Sequence, residues 1–217
     1  MAAEAISLDG TRGSRFSLVT PEGRSPVELP LPGLYNVYNA LGAAALCLSL
    51  SVPLDVVVAG LRDVRAAFGR AERIAVGEVE IQVLLIKNPA GANEILRTLA
   101  IEPGELDLLA VLNDRTADGR DVSWVWDADF EMLAGRVRRV TCAGTRAGEL
   151  AVRLKYAGVP EDRLHVVPGV ADALNEAVAD APSGRLYALP TYTALLELRA
   201  ELAERGHAVP FWEPAAV

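Results

Sequence analysis

Leu106-Asp107-Leu108-Leu109-Ala110-Val111-Leu112 is the stretch that decides the fold of this chain. It is an almost unbroken apolar run of strand length, which is typical of a strand buried on both faces of a parallel sheet. The segment Asn113–Asp129 follows directly and holds five aspartates, Trp124 and Trp126, but no Cys or His. Because functional groups collect beyond the carboxyl ends of parallel strands, this segment is the first candidate site.

From Ile74 onward the sequence alternates between strand and helix patterns. Such alternation implies parallel pairing through right-handed crossovers, so we predict a Rossmann-like, doubly wound, mostly parallel α/β domain over residues 73–217. The predicted strands are Val79–Ile86, Leu106–Leu112, Arg138–Ala143, Arg163–Val167 and Leu186–Leu189, and the predicted helices are Gly91–Leu99, Phe130–Arg136, Arg146–Ala157, Val170–Ala179 and Thr191–Glu204.

Residues 1–72 have a different pattern, which predicts a small β meander followed by two helices. This portion is short for a domain of its own, so we interpret it as the end of another domain whose beginning is missing. The charged segment Phe68–Arg73 marks the predicted boundary. The meander pieces are Ala5–Leu8, Arg15–Thr20 and Val27–Leu31, and the helices are Tyr35–Ser49 and a second one from Pro53 to about Phe68-Gly69.

The composition excludes several classes of protein. A net charge of −8 argues against nucleic acid as the main partner, because phosphate binding needs the opposite sign. Cys47 and Cys142 lie in apolar stretches, which indicates buried reduced thiols and no metal site. The apolar run Ala40–Ala59 is interrupted by polar residues, and Met1–Gly10 lacks the pattern of a signal peptide. We therefore expect a cytoplasmic protein without a membrane span.

Two shorter segments are weaker candidates for binding. Lys87 and Asn88 follow the first predicted strand of the α/β domain and precede a helix, where backbone N–H groups and the lysine would hold an anionic substrate. The alternative is a tight turn in which Asn88 or Asn93 caps the helix. Asn36 and Asn39 open an earlier helix; capping explains one of them, and the other could pair with a ring such as adenine.

The segment Asn113–Asp129 itself has two interpretations. Loops rich in Asp and Gly are ordinary, so a solvated acidic loop with both tryptophans packed on the domain is one of them. The other is a partner surface, because large aromatic side chains are costly to leave in water and tryptophan is enriched at interface hot spots. Composition alone favours the first interpretation.

Several segments in collinear order resemble the Mur ligase family. Leu31–Leu41 is similar to the segment near the end of the central, ATP-binding domain, and Phe68–Arg73 is similar to the exit into the C-terminal domain. Lys87–Glu94, Asn113-Asp114 with Asp118–Asp127, and Arg153–Gly158 are more specific: they resemble the ligase-like subunit of lipid II isoglutaminyl synthase. The resemblance thus identifies residues 1–72 as a remnant of the central domain.

The resemblance implies an ATP-dependent, glutamine-hydrolysing amidotransferase of peptidoglycan synthesis. Such a subunit works with a GatD-type glutaminase and amidates the α-carboxylate of D-glutamate in lipid II, so it would act at the inner face of the membrane. Asn39 first and Asn36 second would bind adenine, and Arg70 would reach the ATP phosphates. Asp127 first and Asp121 second would complete the triad of the glutaminase, where an aspartate orients the histidine.

The sequence also departs from the family. It lacks the phosphate-binding loop, the magnesium ligands and the four-cysteine zinc ribbon, so the main ligands of ATP and Mg²⁺ are missing and the chain alone is expected to be inactive. A fragment, a late gene start or half of a split ligase would explain this. Two rival functions stay open, namely a non-catalytic docking or regulatory module and an independent α/β enzyme that binds a phosphorylated metabolite at Lys87–Glu94.

Overall fold

The computed structural model of the chain describes residues 1–65 and 70–209, with only the backbone described at Arg70. The described residues form two compact units. The first unit consists of residues 1–65 and 97–102, and the second consists of the other described residues. Phe68 and Gly69, at the start of the predicted boundary segment, lie outside the described residues.

The first unit contains the predicted meander and the two helices. Strands β1 (Ala2–Leu8), β2 (Ser14–Thr20) and β3 (Gly23–Leu29) form an antiparallel sheet in that order, and α1 (Leu34–Ser49) and α2 (Leu54–Asp63) follow. Alternate residues of β2 and β3 are buried and pack against one face of each helix. The buried core residues are Phe16, Leu18, Val27, Leu29, Val37, Ala40, Ala44, Val57 and Val58.

Helix α2 is shorter than predicted. It ends at Asp63 and does not continue towards Phe68-Gly69, because Val64 takes extended backbone angles with φ −61° and ψ 135°. Branching at Cβ makes valine a weak helix former and suits it to extended backbone. The predicted extension of the helix was therefore wrong at Val64.

The second unit is the predicted doubly wound α/β domain. Its six strands have the order β4-β5-β9-β6-β7-β8, and every neighbouring pair is parallel except β4 with β5. The strands are β4 (Arg70–Val76), β5 (Val79–Leu84), β6 (Leu106–Val111), β7 (Val137–Ala143), β8 (Leu164–Val166) and β9 (Arg185–Pro190). The helices are α3 (Pro89–Ala100), which begins in this unit, α4 (Ala147–Tyr156), α5 (Val170–Ala179) and α6 (Tyr192–Glu204).

Two local predictions in this unit were wrong. Strand β4 was missed, because its charged residues Glu72 and Arg73 look like a linker; edge strands of sheets commonly carry such charges. The helix predicted at Phe130–Arg136 is only a 3-10 turn at Phe130–Leu133, since Ala134 is extended and Gly135 has a φ of +70°.

Strand β6 places the candidate site. All six of its residues are buried, and its parallel neighbours β7 and β9 end at the same edge of the sheet. The segment that follows β6 therefore begins at the carboxyl edge, as predicted. None of the helices within residues 1–65 and 70–209 is long and apolar enough to cross a bilayer.

Both cysteines have free thiols, and burial raises the pKa of the Cys142 thiol to about 12. We expect a thiol reagent at pH 8 to modify Cys142 only after unfolding, measured by absorbance with and without denaturant. The pKa of Cys142 is higher in the folded chain than in the unfolded chain, where it is about 8.5. Below about pH 8.5 the thiol is protonated in both states and does not change the free energy of unfolding. As the pH rises from there towards 12, only the unfolded state loses the proton, so the free energy of unfolding decreases. A native chain in which Cys142 reacts at once would contradict this, and Cys142→Ala is the control that leaves only the signal of Cys47.

Candidate functional site

Asn113 organises the carboxyl edge of the sheet. It is buried, and its Nδ2 donates to Thr193 Oγ1 at 3.0 Å and to Glu197 Oε2 at 3.2 Å. Its Oδ1 accepts a 3.0 Å hydrogen bond from the backbone N–H of Thr145. Gly144 precedes Thr145 with a φ of +91°, and a Cβ at that position would lie 2.7 Å from Asn113 Oδ1. The close approach thus requires glycine at position 144.

Asp114 and Asp118 fix the first part of the loop. Asp114 accepts hydrogen bonds from Thr145 Oγ1 and Arg146 Nε, both at 2.8 Å, and these two partners, in that order, hold the pKa of Asp114 below its usual value. Asp118 accepts from the backbone N–H of Thr193 at 2.7 Å, so its carboxylate caps the N-terminus of α6 from a distant part of the chain. Both carboxylates therefore stabilise the structure of the loop.

The remaining three aspartates differ in their partners. Asp129 and Asn93 form a reciprocal pair, with distances of 2.9 Å from Asn93 Nδ2 to Asp129 Oδ2 and 2.8 Å from Asp129 N to Asn93 Oδ1. Asp121 Oδ1 accepts from the backbone N–H of Ser123 at 2.8 Å, and hydrogen bonds from Ser123, first from its hydroxyl, lower the pKa of Asp121. The Asp127 carboxylate is exposed and has no hydrogen-bond or ion-pair partner among the described residues.

Arg153 of α4 locks the second part of the loop. Its side chain is only 3% exposed, and its guanidinium donates to the carbonyl oxygens of Val125 at 3.0 Å and Ala128 at 2.7 Å. It also donates to Glu131 at 2.8 Å, which lowers the pKa of that carboxyl. The two carbonyls flank Trp126 and Asp127 in sequence, so one buried cation determines the path of the backbone that presents both.

An exposed aromatic patch begins at Trp126, which precedes Asp127 in sequence, and continues onto α4. Trp126 is 52% exposed and its ring centroid lies 6.0 Å from that of Tyr156, which is 73% exposed. Val152, one helical turn before Tyr156, is also exposed. We call Trp126, Val152 and Tyr156 the aromatic patch. Trp124 is half-buried, so the two tryptophans have different environments.

A groove of about 590 Å³ lies at the same edge of the sheet. Its wall includes Glu197, Glu201 and Glu204 from successive turns of α6, and Arg115 forms an ion pair with Glu197. Sequence analysis did not identify these residues. The three glutamates recur at helical spacing, but that pattern equally describes a solvated helix face, so it carried no distinguishing signal.

Lys87 and Asn88 lie between β5 and α3, both exposed. Asn88 Oδ1 accepts a 2.8 Å hydrogen bond from the backbone N–H of Gly91, so Asn88 caps α3, which is the alternative that the sequence allowed. Lys87 Nζ lies 6.0 Å from the ring centroid of Tyr192. Asn93 pairs with Asp129 and does not cap the helix.

Asn36 and Asn39 occupy the first turns of α1. Asn36 Nδ2 donates to the carbonyl oxygen of Pro32 at 2.8 Å, and its Oδ1 accepts from Asn39 Nδ2 at 3.3 Å. Asn39 is exposed, and its Oδ1 has no hydrogen-bond partner within the described residues. The carboxamide of Asn39 thus retains one acceptor and one donor hydrogen, which fits the edge of an adenine. The side chain of Arg70 lies outside the described residues.

The described part of the chain contains no group of three or more His, Cys, Asp or Glu side chains arranged to hold a metal ion. The loop that follows β6 instead carries a carboxylate without a partner among the described residues, contributes Trp126 to an exposed aromatic patch, and is held by one buried arginine of α4. This arrangement can present an acid to a second protein. The segment Asn113–Asp129 contains neither a Cys nucleophile nor a His base.

Comparisons with known proteins find relatives that match most of the chain. The chain is 36% identical over 178 residues to the MurT subunit of lipid II isoglutaminyl synthase (glutamine-hydrolysing) from Streptococcus pneumoniae, a match that covers 82% of this chain and 40% of that protein. The corresponding subunit of Staphylococcus aureus (strain COL) is 34% identical over 179 residues, which are 81% of this chain and 40% of that one. The chain therefore spans about two-fifths of the length of these curated relatives.

Solved structures share the fold. MurF from Acinetobacter baumannii superposes with a TM-score of 0.71 at 24% identity, covering 93% of this chain and 44% of that one. MurC from Thermotoga maritima gives a TM-score of 0.67 at 17% identity, covering 94% and 45%. The family described as MurT ligase C-terminal matches residues 85–195, which include the loop, Arg153 and the aromatic patch. The chain belongs to the MurT ligase C-terminal family.

Proposed function

We propose that this chain is the C-terminal part of the MurT subunit of a lipid II isoglutaminyl synthase, working with a GatD-type glutaminase. The observation that carries the proposal is the Asp127 carboxylate, which has no partner among the described residues and follows Trp126 on a loop held by Arg153. The names of the relatives support the same reaction. Residues 1–72 would be the end of a Mur ligase central domain, and residues 73–217 would be the α/β domain.

The proposed reaction converts the α-carboxylate of D-glutamate in the stem peptide of lipid II to an amide. A carboxylate oxygen attacks the γ-phosphorus of ATP and releases ADP, and ammonia then attacks the acyl carbon and displaces phosphate. The glutaminase hydrolyses glutamine to supply the ammonia, which must stay unprotonated and shielded from water. The substrate is lipid-linked, so the protein would act from the cytoplasm at the inner face of the membrane.

Residues of this chain would supply only part of the ATP site. Asn39, with its available acceptor and donor, would read the adenine, Asn36 would orient Asn39 through their mutual hydrogen bond, and Arg70 would reach the phosphates. When bound, Mg²⁺ would neutralise phosphate charge. The main ligands of ATP and Mg²⁺ would lie outside this chain, which is why we propose that it is inactive alone. Lys87, with Asn88 beside it, would face the anionic substrate.

Asp127 would act in the active site of the partner. A glutaminase that uses Cys and His needs a carboxylate behind the histidine, which holds the imidazole in the correct tautomer and stabilises the imidazolium. Asp127 fits this role first, because Asp121 is bound to Ser123 and Asp129 to Asn93. Asp121 is the second choice, since its carboxylate is also exposed.

We expect the aromatic patch to bind the glutaminase. Tyr156→Ala removes the most exposed aromatic ring of the patch, and loss of such a hot-spot side chain should weaken binding about tenfold or more. Isothermal titration of the chain with its cognate glutaminase measures this. Tyr38→Ala is the matched control, because Tyr38 is 67% exposed but lies in the first unit. The absence of binding by the unsubstituted chain, or equal weakening by both variants, would refute the proposal.

A further inference from the structure

Tyr192 lies beside Lys87 at the carboxyl edge of the sheet. Lys87 follows β5 and Tyr192 follows β9, and these two strands are parallel neighbours. Lys87 Nζ lies over the Tyr192 ring, 6.0 Å from its centroid. An ammonium group at this distance from the face of an aromatic ring is attracted by the negative charge of that face. The edge therefore holds a cation–π pair in addition to the contacts of the loop after β6.

Hydrogen bonds fix the backbone on both sides of Tyr192. The backbone N–H of Asn113 donates to Thr191 Oγ1 at 3.0 Å, and the backbone N–H of Thr193 donates to Asp118 at 2.7 Å. The two residues that flank Tyr192 are thus held by the segment after β6. Tyr192 is also the first residue of α6, so its backbone belongs to a helix. The ring is consequently attached at a fixed point, and only its side-chain torsions can move it.

Hydrogen bonds also fix the backbone beside Lys87. The Ile86 N–H donates to the carbonyl oxygen of Pro190 at 3.0 Å, and Asn88 caps the start of α3. The side chain of Lys87 is exposed, and within residues 1–65 and 70–209 it has no hydrogen-bond or ion-pair partner. Its ring contact with Tyr192 is therefore the contact that restrains the ammonium there. The three donor hydrogens of the ammonium stay available to a ligand.

An aromatic ring holds an ammonium group without neutralising it. A carboxylate in the same place would form an ion pair, which an incoming anion would have to break. A tyrosine ring attracts the cation but leaves its full charge for the ligand. We propose that Tyr192 is a positioning residue that holds the Lys87 ammonium for an oxyanion of the ligand, a carboxylate or a phosphate. This inference rests on the proposed function, in which Lys87 faces the anionic substrate, and it adds a residue that the proposed function does not use.

Lysine NMR of the full chain tests the position of the ammonium. The sequence contains only two lysines, Lys87 and Lys155, so labelling with lysine that carries ¹³C at Cε gives two signals. We expect the ring current of Tyr192 to shift the Hε protons of Lys87 upfield of those of Lys155, which is exposed and pairs with Glu161. Tyr192→Leu should abolish the upfield shift, and Tyr192→Phe should retain it. An unchanged Lys155 signal in both variants is the control for an intact fold.

Titration with two probes, followed at the Lys87 signal, tests the role in binding. N-acetyl-D-glutamine presents the α-carboxylate alone, and inorganic phosphate stands for the phosphates of ATP. We expect a probe that moves the Lys87 signal to bind about two- to fivefold more weakly to Tyr192→Leu, which is the loss that corresponds to an exposed cation–π interaction. Its affinity for Tyr192→Phe should be unchanged. Movement by N-acetyl-D-glutamine alone would identify the ligand as the substrate carboxylate, and movement by phosphate alone would identify it as a phosphate.

Three results would overturn the inference. They are a Lys87 signal without the upfield shift in the unsubstituted chain, equal affinity of Tyr192→Leu and the unsubstituted chain for the probe, and no movement of the signal with either probe. In the proposed function the glutaminase binds at the aromatic patch, so loss of that binding would refute the proposed function and leave the Lys87 signal unchanged. The failures of the two proposals are therefore distinguishable.

Discussion

Asp127→Asn should lower glutamine hydrolysis by the complex with a GatD-type glutaminase by up to about 10,000-fold, the loss that the same change of a triad aspartate causes elsewhere. The amide keeps the shape of the side chain but cannot stabilise the imidazolium of the partner. Binding should persist, because Trp126 and Tyr156 are unchanged. Steady-state assays of glutamate release, with saturating partner, measure the effect on kcat.

Two other aspartates of the same loop serve as controls. Asp129→Asn should change the rate only a few-fold, because the Asp129 carboxylate is held by Asn93. Asp121→Asn should also have a small effect, since Asp121 is bound to Ser123. Full activity of Asp127→Asn together with a large loss in Asp121→Asn would transfer the role to Asp121, and full activity of both would end the triad proposal.

Arg153→Met should lower the free energy of unfolding of the chain by about 3 kcal/mol, measured by urea denaturation. The substitution keeps much of the apolar stem but leaves the carbonyl oxygens of Val125 and Ala128 without their donor. Arg153→Lys should lower the free energy of unfolding by a smaller amount, because lysine retains the positive charge. Some loss should remain, because lysine lacks the planar guanidinium that donates to several acceptors at once. The glutaminase should also bind more weakly to both variants.

Lys155→Met is the matched control for this measurement. Lys155 lies on the same helix, its side chain is exposed, and it forms a surface ion pair with Glu161 at 2.6 Å. Surface ion pairs contribute about 0–1 kcal/mol to stability, so this variant should have nearly the same free energy of unfolding as the unsubstituted chain. If Arg153→Met were as stable as Lys155→Met, Arg153 would not hold the loop.

The local sequence was sufficient to predict those strands and helices in which a single hydrophobic periodicity dominates. The strand at Leu106–Leu112 could be predicted from its own sequence, because burial on both faces produces a continuous apolar run. The helix at Val170–Ala179 could be predicted likewise, because its single apolar face produces a helical spacing of apolar residues. Strand β4 was missed because its pairing with β5 depends on a partner strand, and its charged residues are also typical of linkers.

The candidate site was less predictable than the fold. Five aspartates within one loop are equivalent in sequence, and only tertiary contacts separate them: Asp118 meets Thr193, and Asp129 meets Asn93. The acceptors of Arg153 include backbone carbonyls, which no residue pattern encodes. The resemblance to the Mur ligases named Asp127 first and Asp121 second, and that order stays a prediction, which the unpartnered carboxylate of Asp127 among the described residues supports.

Hydrogen bonds of side chains connect the loop after β6 to three helices. Asp118 binds the start of α6, Asp129 binds Asn93 of α3, and Arg153 of α4 binds Val125 and Ala128. Such a loop has lost most of its conformational freedom before any partner arrives, so association need not spend free energy on ordering it. A second protein would recognise it nearly as a rigid body, with an association rate set by diffusion and orientation and not by loop closure.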